Sequence, residues 1–201
     1  MGRLRGLANV KSLLSATAIA LTFALFYPYV RSILLGATKP HVFSWVIWSI
    51  GTFTVFFARL AGGAGIGAWP IGLSALITSY VALLSWRKRS DLSITSLDWA
   101  CLVIALLALP IWLITSNAFW AVLILTLIDL VGFGPTVRKA YFKPHEERIW
   151  FFLLGALRNA LVVAALEYYS PTTVMFPAAV GIACLALAPF IALRRQISTP
   201  A

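Results

Sequence analysis

Two charged residues, Asp129 and Arg158, lie well inside apolar segments of the chain. At a rise of about 1.5 Å per residue, positions roughly eleven and nine residues into two helices both fall near the middle of a bilayer. A lone charge there costs at least about 2.5–3.5 kcal/mol, so each side chain needs a partner or water. We therefore predict that Asp129 and Arg158 pair. The pair would be either a clamp between helices or a site lining a water-filled cavity, in which Asp129 could also carry a proton.

Two tryptophans, Trp45 and Trp48, are three residues apart and therefore share one face of a helix. One interpretation is ordinary packing against lipid or protein. The other is a stacking wall for a ring-shaped solute, with an indole N–H able to donate a hydrogen bond. The residues to consider for substrate binding are thus Trp45, Trp48, Asp129 and Arg158.

The remaining reactive side chains form no catalytic or metal-binding pattern. The sequence has no serine elbow, no HExxH and no clustered carboxylates within a span. His41 and His145 follow prolines in loops with few other ligands nearby, which favours loop capping over metal binding. Cys101 and Cys184 lie in apolar runs and are interpreted as structural thiols. The glycine-rich run 62–67 lacks the lysine of a phosphate loop and predicts a tight loop. We expect no enzymatic activity, no metal and no cofactor.

The composition indicates a lipid environment. The chain has 201 residues, of which 61% are hydrophobic and only 11% are charged, whereas a soluble domain has roughly a quarter charged residues. The net charge of +10 comes from short basic clusters at the ends of apolar runs. This pattern is typical of a membrane protein that meets anionic headgroups. We therefore expect the bilayer, and no nucleic acid, as a partner.

Seven apolar segments are each close to the roughly 20 residues that span a bilayer as a helix. They cover residues 13–35, 42–60, 69–86, 98–115, 118–140, 149–168 and 174–193. The basic start before the first segment invites a signal-peptide interpretation. The segment is too long for a signal peptide and carries a motif that recurs later, so we predict that it is the first membrane helix.

A proline motif occurs twice, about a hundred residues apart. Pro28-x-x-Arg31 matches Pro135-x-x-Arg138 at an offset of 107 residues, and Lys39-Pro40-His41 matches Lys143-Pro144-His145 at an offset of 104. The duplication predicts an all-α membrane protein of seven transmembrane helices. Two parallel three-helix repeats, 1–89 and 118–201, would be joined by a linker and connecting helix at 90–117.

The same offsets align the charged residues with neutral ones. Asp129 aligns with Thr22, and Arg158 aligns with Thr54. A threonine hydroxyl can be satisfied by its own helix backbone, so we predict that the charge of a site would be confined to the second repeat.

The basic residues also predict an orientation. With seven spans, the side of the C-terminus collects eleven Lys and Arg residues and the side of the N-terminus collects four. The positive-inside tendency then places the N-terminus outside and the C-terminus in the cytoplasm. The membrane would be a bacterial inner membrane or a plasma membrane.

The three-plus-one-plus-three order with repeated prolines resembles the SWEET and PQ-loop transporter superfamily over residues 13–195. It is also similar to vitamin-precursor transporters with the same helix count. Tyr29 and Thr136 follow the motif prolines where PQ-loop proteins have glutamine, as in a divergent member. The resemblance implies a pocket that uses tryptophan and asparagine, for which Trp45, Trp48 and Asn159 are the nearest matches. It also implies four proline hinges: Pro28, Pro40, Pro135 and Pro144.

The favoured function is transport of a small polar solute, such as a sugar, a vitamin precursor or an amino-acid-like molecule. The protein would be a facilitator or a proton-coupled carrier that works by alternating access between two three-helix bundles. The alternative is a non-transporting seven-helix receptor or scaffold of the same fold class, whose polar pocket would open to one face only. An intramembrane enzyme is the weakest alternative. The sequence leaves a homo-oligomer open.

Overall fold

Helices account for all the secondary structure that the computed structural model describes, which covers residues 2–36, 40, 42–88, 96–142 and 144–197. Within these residues there are no strands, and two short 3-10 turns cover Gly65–Ala68 and Pro144–Glu146. The helices are α1 Gly2–Leu34, α2 Val42–Ala61, α3 Trp69–Arg87, α4 Ser96–Thr115, α5 Ala118–Gly132, α6 Gly134–Phe142, α7 Ile149–Ala164 and α8 Pro171–Ile197. The tight loop predicted at 62–67 is confirmed as a turn that leads into the first 3-10 turn.

Four helical stretches among the described residues are long and apolar enough to cross a membrane. They are Ala8–Leu34, Val42–Ala61, Gly65–Arg87 and Pro171–Ile197. Three further apolar helices, Trp99–Thr115, Ala118–Gly132 and Ile149–Ala164, are shorter than the usual spanning length. Large apolar side chains such as Leu113 and Ile114 are 77% and 83% exposed, as is compatible with an integral membrane protein whose surface faces lipid.

The first helix is longer than predicted. It begins at Gly2, whereas the apolar pattern places its start at residue 13. Residues 2–12 contain good helix formers such as Leu, Arg and Lys, and hydropathy does not mark a helix that continues beyond the apolar region. The Lys11 ammonium group donates a hydrogen bond of 2.6 Å to the Leu166 carbonyl. This bond holds the extension of α1 against the loop between α7 and α8.

The fifth apolar segment is two helices, so the prediction of a single helix over 118–140 is wrong. The chain leaves α5 at Gly132, passes through Phe133, and starts α6 at Gly134. Pro135 has no N–H, and its ring would clash with the carbonyl group four residues earlier. The glycines on either side of Phe133 lower the cost of interrupting the helix. In α1 the helix continues through Pro28.

Helices of the two halves of the chain pack in corresponding ways. We name α1–α3 the N-terminal group and α5–α8 the C-terminal group. Within these groups, α3 packs against both α1 and α2, and α8 packs against both α5 and α7. Between the groups, α1 packs against α7 and α2 packs against α5, while α4 lies against α5 and α2. The largest apolar core cluster includes Val55, Ile71, Val122 and Val162 and therefore spans both groups.

Basic side chains hold together the ends of helices within each group. Lys88 Nζ donates to the Leu34 carbonyl at 2.6 Å, and Arg194 Nη2 donates to the Tyr141 carbonyl at 3.0 Å. Leu34 and Tyr141 are related by the 107-residue offset of the motif. A cation near the last carbonyl groups of a helix is favourable because those groups lack intrahelical partners. Arg195 Nε makes a similar bond of 3.0 Å to the Pro144 carbonyl.

Candidate functional site

The guanidinium group of Arg158 joins the two groups of helices. Its side chain is buried, with 7% exposure. Nε donates to Thr22 Oγ1 of α1 at 3.1 Å. Nη2 donates to the Pro70 carbonyl and to Ser74 Oγ of α3 at 2.7 and 2.6 Å. Nη1 donates to Asn159 Oδ1 at 3.3 Å. Every nitrogen of the group therefore has an acceptor, and three of the bonds cross from α7 to the N-terminal group.

The predicted pair of Asp129 and Arg158 is not formed within the described residues. Arg158 is directed toward α1 and α3 rather than toward the interior of its own group. Neutral acceptors on those helices are numerous enough to satisfy the charge without a carboxylate. The expectation that the threonine hydroxyls bond their own helix backbone is confirmed, because Thr22 and Thr54 donate to the carbonyls of Ala18 and Ile50 at 2.8 and 2.9 Å.

Asp129 lines a small cavity between α2, α5 and α8. The space open to a water-sized sphere is about 10 Å³, which is enough for roughly one water molecule. Within the described part of the chain, the Asp129 carboxylate makes no hydrogen bond and no ion pair. The cavity is lined by Ile47, Trp48, Gly51, Thr52, Leu125, Ile128, Asp129 and Phe176. A carboxylate thus faces a small, mostly apolar cavity at the contact between the two groups.

The two tryptophans lie in different surroundings. Trp48 lines the cavity, and its indole lies where a Cβ added to Gly132 would be 3.4 Å from Cζ2. Trp45 is 8% exposed and belongs to a core cluster with Ile33 and Val81. Its ring centroid is 5.2 Å from that of Trp48, so the predicted shared face is confirmed. The structure brings Trp48 to Asp129 and leaves Trp45 in the packed core behind it.

A series of hydroxyl groups extends from the cavity toward Arg158. Thr52 Oγ1, at the cavity, is 3.1 Å from Thr78 Oγ1 on α3. Ser74, one helical turn before Thr78, contacts Arg158. Thr52, Thr78 and Ser74 thus form a row of hydroxyl groups between the cavity and Arg158. Sequence analysis missed these residues. The four-residue spacing of Ser74 and Thr78 is a usable signal, because it places both hydroxyls on one helix face.

Asn159 does not line the cavity. Its amide nitrogen donates a hydrogen bond of 2.9 Å to the Gly155 carbonyl of its own helix. Its amide oxygen accepts a hydrogen bond from Arg158, so Asn159 helps to hold the arginine side chain in place. Of the four hinge prolines, Pro28 lies inside α1 and Pro135 lies near the start of α6. Pro40 and Pro144 are buried outside the α-helices. These positions leave the hinge role a prediction, and His41 lies outside the described residues.

At one end of the molecule, the loop between α2 and α3 contacts the loop between α7 and α8. The Ile66 N–H donates to Glu167 Oε1 at 3.1 Å, and the Glu167 N–H donates to the Ala64 carbonyl at 3.2 Å. A Cβ at Gly65 would be 2.0 Å from the Glu167 carboxyl carbon, and one at Gly67 would be 2.9 Å from Ala165 backbone atoms. Glycine at these two positions therefore allows the loops to meet. We name these bonds the loop contact.

Arg59 strengthens this end of the molecule from inside. It is fully buried and donates to the Thr173 carbonyl at 3.0 Å and to the Gly67 carbonyl at 3.2 Å. Pro177 has no N–H to offer the carbonyl four residues earlier, which is that of Thr173. The carbonyl is therefore available to Arg59. Sequence analysis counted Arg59 only among the basic residues that set orientation.

Comparison with known proteins identifies no relative. No family model, curated protein or solved structure matches this chain. The resemblance to SWEET and PQ-loop proteins therefore rests on the motif prolines and the order of the helices. The function has to be inferred from the geometry of the cavity and the contacts around it.

Proposed function

We propose that this protein is a membrane transporter that moves a small polar solute between the N-terminal group and the C-terminal group. The observation that carries the proposal is Asp129, a carboxylate without a described partner, which lines a cavity between the two groups. A charge inside a membrane helix is costly and usually marks a solute or ion pathway. A structural clamp would require a partner for Asp129, and Arg158 is bonded elsewhere.

We infer that the helices form two parallel repeats of three, with α4 as the connecting helix and α5 with α6 as one interrupted unit. The corresponding positions of α3 and α8 support this arrangement, as do the two contacts between groups. The bonds of Lys88 to Leu34 and of Arg194 to Tyr141 also support it, because they join corresponding helices in each group. Parallel repeats around a central site are a common transporter architecture.

The two ends of the molecule differ in a way that fits alternating access. At the end with Glu167, polar bonds connect one group to the other. At the opposite end, the bonds of Lys88, Arg194 and Arg195 stay within one group. Separation of the groups at that opposite end would break none of those bonds. We propose that it faces the cytoplasm, because it holds most of the basic residues.

Cysteine labelling in intact cells tests this orientation. Single cysteines in the segments 87–97 and 138–148, placed in a chain without Cys101 and Cys184, should resist membrane-impermeant thiol reagents. They should react once the membrane is opened with detergent. Ready labelling from outside would reverse the orientation and leave the proposed transport activity untouched.

Uptake by proteoliposomes tests the transport activity. Vesicles with the purified protein are exposed to a mixture of sugars, nucleosides, amino acids and amines, and the contents are analysed by mass spectrometry. We expect at least one solute to enter faster than in empty vesicles. Thr52→Val, at the cavity, should slow that uptake, whereas Thr54→Val is the matched control, because Thr54 lies on the same helix and is not among the described residues that line the cavity. Saturable binding without uptake would replace transport by the receptor alternative.

A further inference from the structure

The charge that faces the cavity is negative and uncompensated. Among the described residues that line it, Asp129 alone is ionisable. The cation predicted to compensate it was Arg158, whose nitrogens all donate to other acceptors. An anionic group entering the cavity would therefore meet a carboxylate and, among the described lining residues, no cation. A cationic group would supply the missing partner.

The lining also distinguishes between kinds of cation. Hard metal ions such as Ca²⁺ and Mg²⁺ require about six or more oxygen ligands. Of the described side chains around the cavity, Asp129 and Thr52 are the ones that offer oxygen atoms. The other lining groups include the rings of Trp48 and Phe176. An ammonium group needs few acceptors and is attracted to the face of an aromatic ring.

We propose that the cavity binds the protonated amino group of a small organic amine, with Asp129 as its counter-ion and Trp48 beside it. This inference names the substrate class of the proposed transporter and so rests on the proposed function. The cavity holds roughly one water-sized group, which matches an ammonium head. The remainder of a larger amine requires α2 and α5 to separate.

The helices α2 and α5 lie close together at two glycines. A Cβ on Gly51 would be 3.5 Å from Leu125 Cδ2, and one on Gly132 would be 3.4 Å from Trp48 Cζ2. Both are ordinary van der Waals distances, so the contact as it stands has room for little more than a small head group. Neutralisation of Asp129 by a bound ammonium also lowers the cost of keeping the carboxylate away from water. For an amine no larger than the cavity, binding and the closed contact therefore favour each other.

Binding to the purified protein in nanodiscs tests the inference without any transport. The probes are methylammonium chloride, sodium formate and methanol, each compared with sodium chloride at equal ionic strength. We expect methylammonium alone to raise the melting temperature. Asp129→Asn should weaken its apparent affinity by at least about tenfold, since a charge-assisted bond is lost. Trp48→Leu should weaken it further than Trp45→Leu, the matched control in the core cluster. Equal responses to formate or methanol would overturn the inference.

A second measurement uses the unaltered chain. Dicyclohexylcarbodiimide modifies carboxyl groups in apolar surroundings, and peptide mass spectrometry locates the adduct. Methylammonium should lower the amount of adduct on Asp129, whereas sodium chloride at equal ionic strength should not. Absence of protection would contradict the proposed site even if a variant failed to fold. Amine binding without uptake would disprove transport alone, and uptake of only neutral or anionic solutes would disprove the amine site alone.

Discussion

The α1–α7 and α2–α5 contacts occupy corresponding places in the two groups but treat charge differently. At the first, Arg158 donates to Thr22 and to acceptors on α3. At the second, Asp129, the counterpart of Thr22, lines a cavity and has no partner among the described residues. At the α1–α7 contact, the protein itself supplies the partners of the buried charge. At the α2–α5 contact, the buried charge has no partner among the described residues. The difference suggests a permanent structural contact between α1 and α7 and a binding site between α2 and α5.

The strongest test of the fixed contact is Arg158→Met. It removes three hydrogen bonds from α7 to the N-terminal group. At roughly 0.6 kcal/mol per interhelical bond in a membrane, we expect a loss of about 2 kcal/mol in the free energy of unfolding. The free energy of unfolding of Arg158→Lys should lie between those of the original protein and Arg158→Met, because lysine keeps the charge and loses the planar fork. Unfolding in mixed micelles measures the stability of both variants. If Arg158→Met is as stable as the original protein, the α1–α7 contact is not held by Arg158 and does not differ from the α2–α5 contact in this way.

The next largest effect concerns the loop contact, which adjoins α1 and α7. A Cβ at Gly67 would be 2.9 Å from backbone atoms of Ala165, and backbone yields less readily than a side chain. We expect Gly67→Ala to lower stability by about 1–2 kcal/mol through overpacking. Gly6→Ala is the control, since no atom lies within 4 Å of its added Cβ. Equal melting temperatures for the two variants would show that the loops are held loosely.

The cavity side should respond in the opposite direction. Asp129→Asn removes an unpartnered charge, so we expect the free energy of unfolding to rise by about 1 kcal/mol or to stay constant. Because no ion pair joins the two residues, the effects of Asp129→Asn and Arg158→Met should add in the double variant. A coupling energy well above the error of the measurement would support the pairing of Asp129 and Arg158 that the sequence predicted.

The smallest expected change exchanges the acceptor of Arg158. Thr22→Val removes one hydrogen bond and should cost about 0.5 kcal/mol. Thr22→Asp places a carboxylate opposite Arg158 Nε, which is 3.1 Å from Thr22 Oγ1, and should recover or exceed the original stability. The melting temperatures of the two variants provide the measurement. If Thr22→Asp is the less stable of the two, the α1–α7 contact cannot accept the charge that Asp129 carries in the C-terminal group.

Sequence patterns located the helices but could not identify the partners of their charges. The apolar runs gave the positions of α2, α3, α4 and α8, and the internal offset singled out Thr22 and Thr54 as neutral counterparts. Three of the partners of Arg158 and Arg59 are backbone carbonyls, those of Pro70, Thr173 and Gly67. A carbonyl has no residue type, so nothing in the sequence marks which one is within reach.

The start of α1 and the interruption after α5 were missed for a different reason. Hydropathy indicates which residues are apolar enough to lie in lipid and does not indicate where a helix begins. It therefore could not predict that α1 starts at Gly2. The glycines around Phe133 were visible in the sequence, but the matching Pro28 lies within an unbroken helix. The effect of a proline depends on its neighbours, and the repeat alone suggested that both would act alike.

The contacts of Arg158 also have a consequence for synthesis of the chain. Its acceptors on α1 and α3 stand earlier in the sequence than α7. A growing chain emerges from its N-terminus, so these acceptors are already available when α7 enters the membrane. In a circularly permuted chain that begins with the C-terminal group, the guanidinium would enter the membrane before its acceptors on α1 and α3. More of the insertion cost of about 2.5–3.5 kcal/mol would then remain uncompensated. The present order of the two groups therefore supplies those acceptors before α7 inserts.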